Sequence, residues 1–251
     1  MQAHCANSET IDNFSSNVVE CLLTDGRKIA SLEGDRPPHA VIKYGPPGSG
    51  KGSEAMMDQI AKLGIPLTHY ITFEIDRLVE HVKQYRQNTV TLRRNRNKHD
   101  IVNKNMYNRL AQAYQRVRTM KNKTGKSLSD KMNALVTQAI GDKKDIIFET
   151  TGSRYTGNHP FQWLLELLHG KGYKIVVIYP LANTDTLQER VRSRAEMQYL
   201  QPNEDKKLFR AVNPGELPGM IENSQRNFKD FILQDLLEKR IHHLVGFWTE
   251  D

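Results

Sequence analysis

Short apolar runs alternate with amphipathic segments along this chain. Five runs have the character of strands, at residues 40–44, 69–73, 145–149, 173–179 and 240–248. Apolar residues at helical spacing predict helices at residues 11–23, 53–63, 158–169, 184–197 and 217–237. Pro180 is expected to end the fourth strand. Strands that alternate with helices predict an α/β fold with a parallel sheet of about five strands flanked by helices.

Residues 78–140 interrupt this alternation with a long stretch that is largely helical, polar and basic. Breaks are expected at Asn88-Thr89 and at residues 122–126. Tyr107 and Tyr114 lie on one helical face and are predicted to pack in the protein interior rather than to stack on bases. In the helix that follows the third strand, Trp163 is predicted to be a core residue.

The predicted organisation is an N-terminal arm over residues 1–39 and one α/β domain over residues 40–251. Within that domain, residues 78–140 form a basic helical insertion, and residues 192–218, which include several prolines, form a mobile lid. The helix in the arm is expected to cover one edge of the core, and a partner-binding arm is the alternative.

A glycine-rich stretch joins the first predicted strand to the first helix behind it. Glycines let the backbone turn so that its N–H groups can point at phosphate oxygens, and the helix N-terminus favours negative charge. Lys51 would bring a positive charge to the β- and γ-phosphates. The stretch predicts a phosphate-binding loop for ATP, formed by Gly45, Pro46, Pro47, Gly48, Ser49, Gly50, Lys51, Gly52 and Ser53. The alternative is a connecting turn with a solvated lysine.

Gly52 stands where many such loops carry a Ser or Thr hydroxyl that binds Mg²⁺. The hydroxyl comes one residue later, at Ser53. Ser53 is therefore the candidate protein ligand for Mg²⁺, the second predicted cofactor.

Polar side chains follow two further strands where each strand ends. Asp76 comes after the second strand, and Glu149, Thr151 and Arg154 come at the end of the third. Ligands of open parallel sheets bind at this edge. Asp76 is therefore the candidate catalytic base, and helix capping is the alternative for Asp76 and Glu149.

Composition narrows the class of ligand. Lys and Arg total 36 against 29 Asp and Glu, a net charge of +7, which favours anionic ligands such as nucleotides or nucleic acid. Residues 93–99 are the densest basic cluster, interpreted either as a solvated surface or as a track for RNA. Two cysteines without metal-ligand spacing favour a reducing compartment. Without an apolar run of about 20 residues or a secretory segment, the chain is expected to be soluble, cytoplasmic and free of membrane.

Taken in order, these motifs resemble the zeta-toxin-like P-loop kinases, which phosphorylate a sugar hydroxyl of UDP-N-acetylglucosamine or related molecules. GPPGSGKGS is similar to the family's GxPGSGKTS, FEID to its strand-end acidic motif, and IIFETTGSR to its IEGTGR. The GKGY strand and the following helix also resemble the family, as does the arginine-bearing segment that begins at Arg210. The resemblance covers residues 40–232.

The resemblance implies roles for individual residues. Asp76 would accept the proton of the acceptor hydroxyl, and Glu149 and Thr151 would contact the substrate. Arg190 and Arg210 would contact the ATP phosphates. The alternatives are a surface helix residue for Arg190 and a loop residue without such a contact for Arg210. An extra Ser153 shifts Arg154 by one place against the motif arginine.

The implied function is an ATP-dependent kinase that acts on a hydroxyl of a nucleotide sugar or similar small molecule. A polynucleotide or RNA 5′-kinase, drawing on residues 93–99, is the first alternative. A nucleotide-binding module without transfer activity is the second, because of Gly52. Toxins of the family are neutralised by antitoxins, and such a partner is left undecided for this chain.

Overall fold

The computed structural model describes residues 10–24, 29, 35–94, 104–153, 160–200, 212 and 215–249. The chain divides into two compact units. The helical unit comprises Met1–Arg27, Glu74–Leu135 and Arg190–Glu216. The sheet unit comprises Lys28–Phe73, Val136–Glu189 and Leu217–Asp251. The predicted division into an arm over residues 1–39 and a domain over residues 40–251 stays a prediction.

Five strands in the described part of the chain form one parallel sheet. They are β1 His39–Tyr44, β2 Ile71–Phe73, β3 Ile146–Thr150, β4 Lys174–Leu181 and β5 His243–Trp248. The strand order is β2-β3-β1-β4-β5, which puts β1 at the centre. All six residues of β1 are buried, as expected for a parallel strand covered on both faces. The predicted α/β fold is confirmed.

The helices of the described residues alternate with these strands and also fill the long insertion. Their bounds are α1 Ser16–Thr24, α2 Glu54–Ala61, α3 Ile75–Glu80, α4 Lys83–Arg94, α5 Lys104–Thr119, α6 Leu128–Gly141, α7 Pro160–Gly170, α8 Thr184–Leu200, α9 Leu217–Asn227 and α10 Leu233–Leu237. A π-helical segment, Phe228–Ile232, joins α9 to α10. No helix among the described residues is both long and apolar enough to span a membrane.

The core beneath the glycine-rich loop fixes where that loop lies. Met56 and Ile60 are four residues apart in α2, so they share one face of the helix. Both are fully buried in a cluster with residues of β1, β3 and β4, among them Val41, Ile147 and Val176. Because each such side chain contributes roughly 1.5–3 kcal/mol when buried, α2 is held firmly against the sheet behind the loop.

Three predictions of local structure were wrong. Pro180 does not end β4, which continues to Leu181. The reason is that β1 pairs with β4 only as far as Ile178, so Pro180 has a strand partner on the β5 side alone. Trp163 is 38% exposed, and α7 instead buries the apolar residues around it: Phe161, Leu164, Leu165 and Leu168.

The third correction concerns Asn88-Thr89, where α4 continues without a break. Thr89 is buried, and its hydroxyl donates to the carbonyl of Tyr85 at 2.7 Å, so the side chain bonds within its own helix. The expected break at residues 122–126 is a turn in which Asn122 Oδ1 accepts the N–H groups of Thr124 and Lys126.

The N-terminal helix α1 buries an apolar face, as the sequence predicts. Val19, Leu22 and Leu23 of this helix are buried, and α1 packs against α3 within the helical unit. Cys21 is disulfide-bonded, whereas the cysteine pattern of the sequence favoured a reducing compartment.

Candidate active site

Residues 45–53 form a tight turn between β1 and α2. Gly45, Gly48 and Gly50 have φ angles of 146°, 84° and 88°, a region that side chains make costly. A Cβ on Gly45 would lie 2.8 Å from Ser49 Oγ, and one on Gly50 would lie 3.1 Å from Thr249 Cγ2. The backbone angles therefore favour glycine at all three positions, and packing adds to this at Gly45 and Gly50.

Lys51 is buried against its own loop. Its Nζ donates to the carbonyl oxygens of Gly45 at 2.6 Å and Pro46 at 3.0 Å, and the residue is 8% exposed. An ammonium group is thus held beside a turn of backbone amides at the N-terminus of α2. This combination of donors fits a phosphate group.

Ser53 begins α2 as its N-cap, and its Oγ accepts the N–H of Met56 at 3.3 Å. The residue before it, Gly52, has open space where a Cβ would be. No group of three or more His, Cys, Asp or Glu that could hold a metal occurs in the described ranges. One hydroxyl fits Mg²⁺ that is held mainly by phosphate oxygens and water.

A buried lysine that sequence reasoning missed pairs with Glu149. Lys43 of β1 and Glu149 of β3 are register partners in adjacent parallel strands, and Lys43 Nζ lies 3.1 Å from Glu149 Oε2. Lys43 is 7% exposed, and a charge that is buried so deeply needs a partner. The available signal was a lysine inside the apolar run at residues 40–44. Glu149 lies inside β3 rather than at a helix N-terminus.

The segment after β3 is fixed beside the glycine-rich loop, within the sheet unit. Gly45 N–H donates to the carbonyl of Thr150 at 3.2 Å. The Thr151 and Ser153 hydroxyls lie 3.0 Å apart. The carbonyl of Gly152 accepts from Asn227 Nδ2 at 2.9 Å. Glu149 and Thr151 are therefore brought to the same edge of the sheet as the loop.

The Tyr44 side chain contacts the backbone of this segment. Its hydroxyl lies 3.2 Å from the carbonyl of Gly152 and 2.9 Å from that of Ser224, both acceptors. Burial raises the pKa of Tyr44 well above its usual range, so the phenol keeps its proton and acts as a donor. Its ring packs edge-on against Tyr179. The sequence assigned Tyr44 only to a strand, and nothing in the local pattern marks its partners.

Asp76 lies in the helical unit, in the first turn of α3. Glu74 is the N-cap of that helix and makes no side-chain capping bond. The Tyr114 hydroxyl donates to Asp76 Oδ1. The half-buried carboxylate is therefore held by a side chain from α5, 38 residues further along the chain.

Only some of the remaining candidate site residues lie in the described part of the chain. Arg190 is half-buried in α8, in the helical unit. Arg154 and Arg210 lie outside the described residues. Of the basic cluster at residues 93–99, Arg93 and Arg94 are the last residues of α4, and the rest lies outside the described ranges.

A parallel sheet whose central strand leads through a glycine-rich, lysine-bearing turn into a helix defines a P-loop NTPase of the kinase-like type. The family model described as Zeta toxin matches residues 24–241. The chain belongs to the zeta toxin family, as its motifs had indicated.

A comparison with solved structures gives the same fold. A structure from a study of the PezAT chromosomal toxin-antitoxin system of the human pathogen Streptococcus pneumoniae aligns with 90% of this chain and 72% of that chain, with a TM-score of 0.50 and 14% sequence identity. At this identity the likeness shows the fold alone. No curated protein matched the sequence.

Proposed function

We propose that the protein transfers the γ-phosphoryl group of ATP to a hydroxyl of a small molecule, with nucleotide sugars as the acceptor class. The observation that carries the proposal is the loop at residues 45–53, where Lys51 Nζ lies within hydrogen-bonding distance of two loop carbonyls. Membership of the zeta toxin family supports a phosphotransferase, and the resemblance of the ordered motifs supports the acceptor class.

The loop would act by positioning and by neutralising charge. Its amides and Lys51 would bind the β- and γ-phosphates, and the charge developing on the transferred group would be stabilised there. Mg²⁺, bound with ATP near Ser53, would supply further neutralisation of the phosphates. Arg190 and Arg210 would add positive charge to the same phosphates.

The acceptor would be held and activated by carboxylates. Glu149, fixed by Lys43, and Thr151 and Arg154 would contact the acceptor. Asp76 would accept the proton of the attacking hydroxyl as its oxygen forms a bond to the γ-phosphorus and the bond to the β,γ-bridging oxygen breaks. Holding both reactants in line supplies much of the rate.

A protein partner of antitoxin type is part of this proposal. The solved structure with the same fold comes from a study of a toxin-antitoxin system. We also expect the protein to act in the cytoplasm, where ATP and nucleotide sugars are available.

The test is a transfer assay with γ-labelled ATP and a panel of acceptors: UDP-sugars, nucleosides, and RNA and DNA with 5′-hydroxyl ends. We expect label on a UDP-sugar with the wild-type protein and none with Lys51→Ala or Asp76→Asn. Lys62→Ala, which removes an exposed lysine at the end of α2, is the matched control and should keep wild-type activity.

Three results would contradict the proposal. Label on an oligonucleotide end alone would make the protein a polynucleotide kinase. ATP binding without any labelled product would make it a nucleotide-binding module. Activity that survives Lys51→Ala would refute the role given to the loop.

A further inference from the structure

We propose that Tyr114 is a positioning residue for Asp76 and holds this carboxylate in the orientation in which it receives the acceptor's proton. The inference rests on the proposed function, because it concerns the residue assigned there as the base. It gives the helical insertion at residues 78–140 a part in the reaction beyond a basic surface.

The contact lies in a well-packed part of the helical unit. Tyr114 is 2% exposed and Tyr85 is 1% exposed. Their rings meet edge to face, with centroids 6.1 Å apart and an interplanar angle of 79°. The helices that carry the residues, α3, α4 and α5, each pack against the other two. The phenol of Tyr114 is therefore fixed in place before any ligand binds.

The hydrogen bond acts on one of the two carboxylate oxygens. Tyr114 Oη donates to Asp76 Oδ1, and a bond to an ionised acceptor is stronger than one between neutral groups. The carboxylate plane is thereby set by a rigid donor, and Oδ2 is the oxygen assigned to receive the proton. A hydroxyl proton that moves to Oδ2 leaves the tyrosine proton where it was.

A base that is free to rotate spends time in orientations from which it cannot accept the proton. A small misplacement of a catalytic group can lower the rate by orders of magnitude. The effect of the tyrosine should therefore fall on the chemical step and not on the binding of ATP.

The first measurement compares the steady-state kinetics of Tyr114→Phe with those of the wild-type protein. Phenylalanine keeps the ring against Tyr85 and removes only the hydroxyl. We expect kcat to fall by about tenfold or more, the usual cost of one such bond, with the KM for ATP unchanged. Tyr173→Phe is the matched control: it removes the hydroxyl of another buried tyrosine, which donates to the backbone carbonyl of Lys144 at 2.8 Å, and should leave kcat unchanged.

The second measurement does not depend on activity. The hydroxyl proton of Tyr114 should give a slowly exchanging, downfield proton NMR signal that is lost in Tyr114→Phe and shifted in Asp76→Asn. If the wild-type protein phosphorylates no acceptor, the proposed function fails while this signal still reports the contact.

Three results would overturn the positioning role. The first is the absence of the downfield signal from the wild-type spectrum. The second is a signal whose chemical shift does not change in Asp76→Asn. The third is a kcat of Tyr114→Phe that equals or exceeds that of the wild-type protein. A higher value would make the contact an inhibitory one.

Discussion

Lys43 and Lys51 place two ammonium groups near the carboxyl end of β1. Lys43 faces the carboxylate of Glu149, whereas Lys51 bonds to neutral carbonyl oxygens of its own loop. An ammonium bonds more strongly to a charged phosphate than to a neutral carbonyl. Both lysines are buried, and their contacts differ: Lys43 pairs with a carboxylate, and Lys51 donates to two carbonyl oxygens of the loop proposed to bind phosphate.

Gly52→Thr tests the missing loop hydroxyl. A Cβ at this position would meet nothing within 4 Å, so the fold should accept the side chain. We expect a lower Mg²⁺ concentration for half-maximal transfer, because the added hydroxyl would offer Mg²⁺ an oxygen ligand in addition to the one proposed for Ser53. The comparison variant is Gly50→Ala, which should impair transfer, since its φ is 88° and its Cβ would crowd Thr249. An unchanged Mg²⁺ requirement in Gly52→Thr would show that the hydroxyl is not needed.

Gly152→Ala tests the segment that carries Thr151. The added Cβ would lie 2.1 Å from Cζ of Tyr44, and φ at this residue is 65°. Overlap with a buried ring and a costly backbone angle should together lower the free energy of unfolding by about 3 kcal/mol or more. Urea denaturation measures the loss.

Gly172→Ala separates the two causes. Gly172 has a φ of 72° but open space around its Cβ position, so alanine there should cost only about 1 kcal/mol. Equal losses at the two positions would show that the contact with Tyr44 contributes nothing.

At the scale of elements, α6 begins with a reciprocal cap. Ser127 Oγ accepts the N–H of Asp130 at 3.2 Å, and Asp130 Oδ2 accepts the backbone N–H of Ser127 at 2.8 Å. The bonds from the backbone and the hydroxyl of Ser127 lower the pKa of Asp130 from its usual 3.8. A carboxyl whose pKa is lower in the folded state stabilises the fold above its unfolded pKa, and that contribution is lost as pH falls through the folded value.

Ser127→Ala should therefore have two effects on stability. The loss of the cap should lower the free energy of unfolding at pH 7 by about 1 kcal/mol. The loss of one donor to Asp130 should also make the drop in stability below pH 3.8 smaller than in the wild-type protein. Urea denaturation at pH 7 and at acid pH measures both. A variant as stable as the wild-type protein at pH 7 would contradict the capping role.

The last helical stretch of the sheet unit, from α9 to α10, contains a π-helical segment next to a residue that contacts Gly152. The π-helical segment Phe228–Ile232 follows directly on Asn227, whose side chain bonds to Gly152. Such segments are rare and often lie at functional sites. Here the irregular turn adjoins the residue that holds the segment carrying Thr151.

At the scale of the whole molecule, a net charge of +7 favours association with anionic ligands. If ATP binds the folded state and not the unfolded chain, its binding must raise the free energy of unfolding by mass action. At an ATP concentration of 100 times Kd the gain is about 2.7 kcal/mol. We expect a higher Tm with Mg²⁺ and a non-hydrolysable ATP analogue, and no such rise in Lys51→Ala. A rise that persists in this variant would place the nucleotide elsewhere.

The sequence by itself determined the order of strands and helices along the chain, the glycine-rich loop and the family. These features depend on local periodicity and on residues that are adjacent in the chain, so a single segment contains the whole signal. The continuation of β4 past Pro180 could not be predicted from the sequence. It depends on which strands lie on each side of the proline in the sheet, and the local sequence does not specify those neighbours.

Only the tertiary structure decided which side chains meet. Lys43 and Glu149 are neighbours because β1 and β3 lie side by side in register, and Tyr114 reaches Asp76 because α5 packs on α3. Tyr44 and Asn227 converge on Gly152 for the same kind of reason. These contacts join residues far apart in the chain, and their partners follow from strand register and helix packing, which the local pattern of apolar and polar residues does not specify.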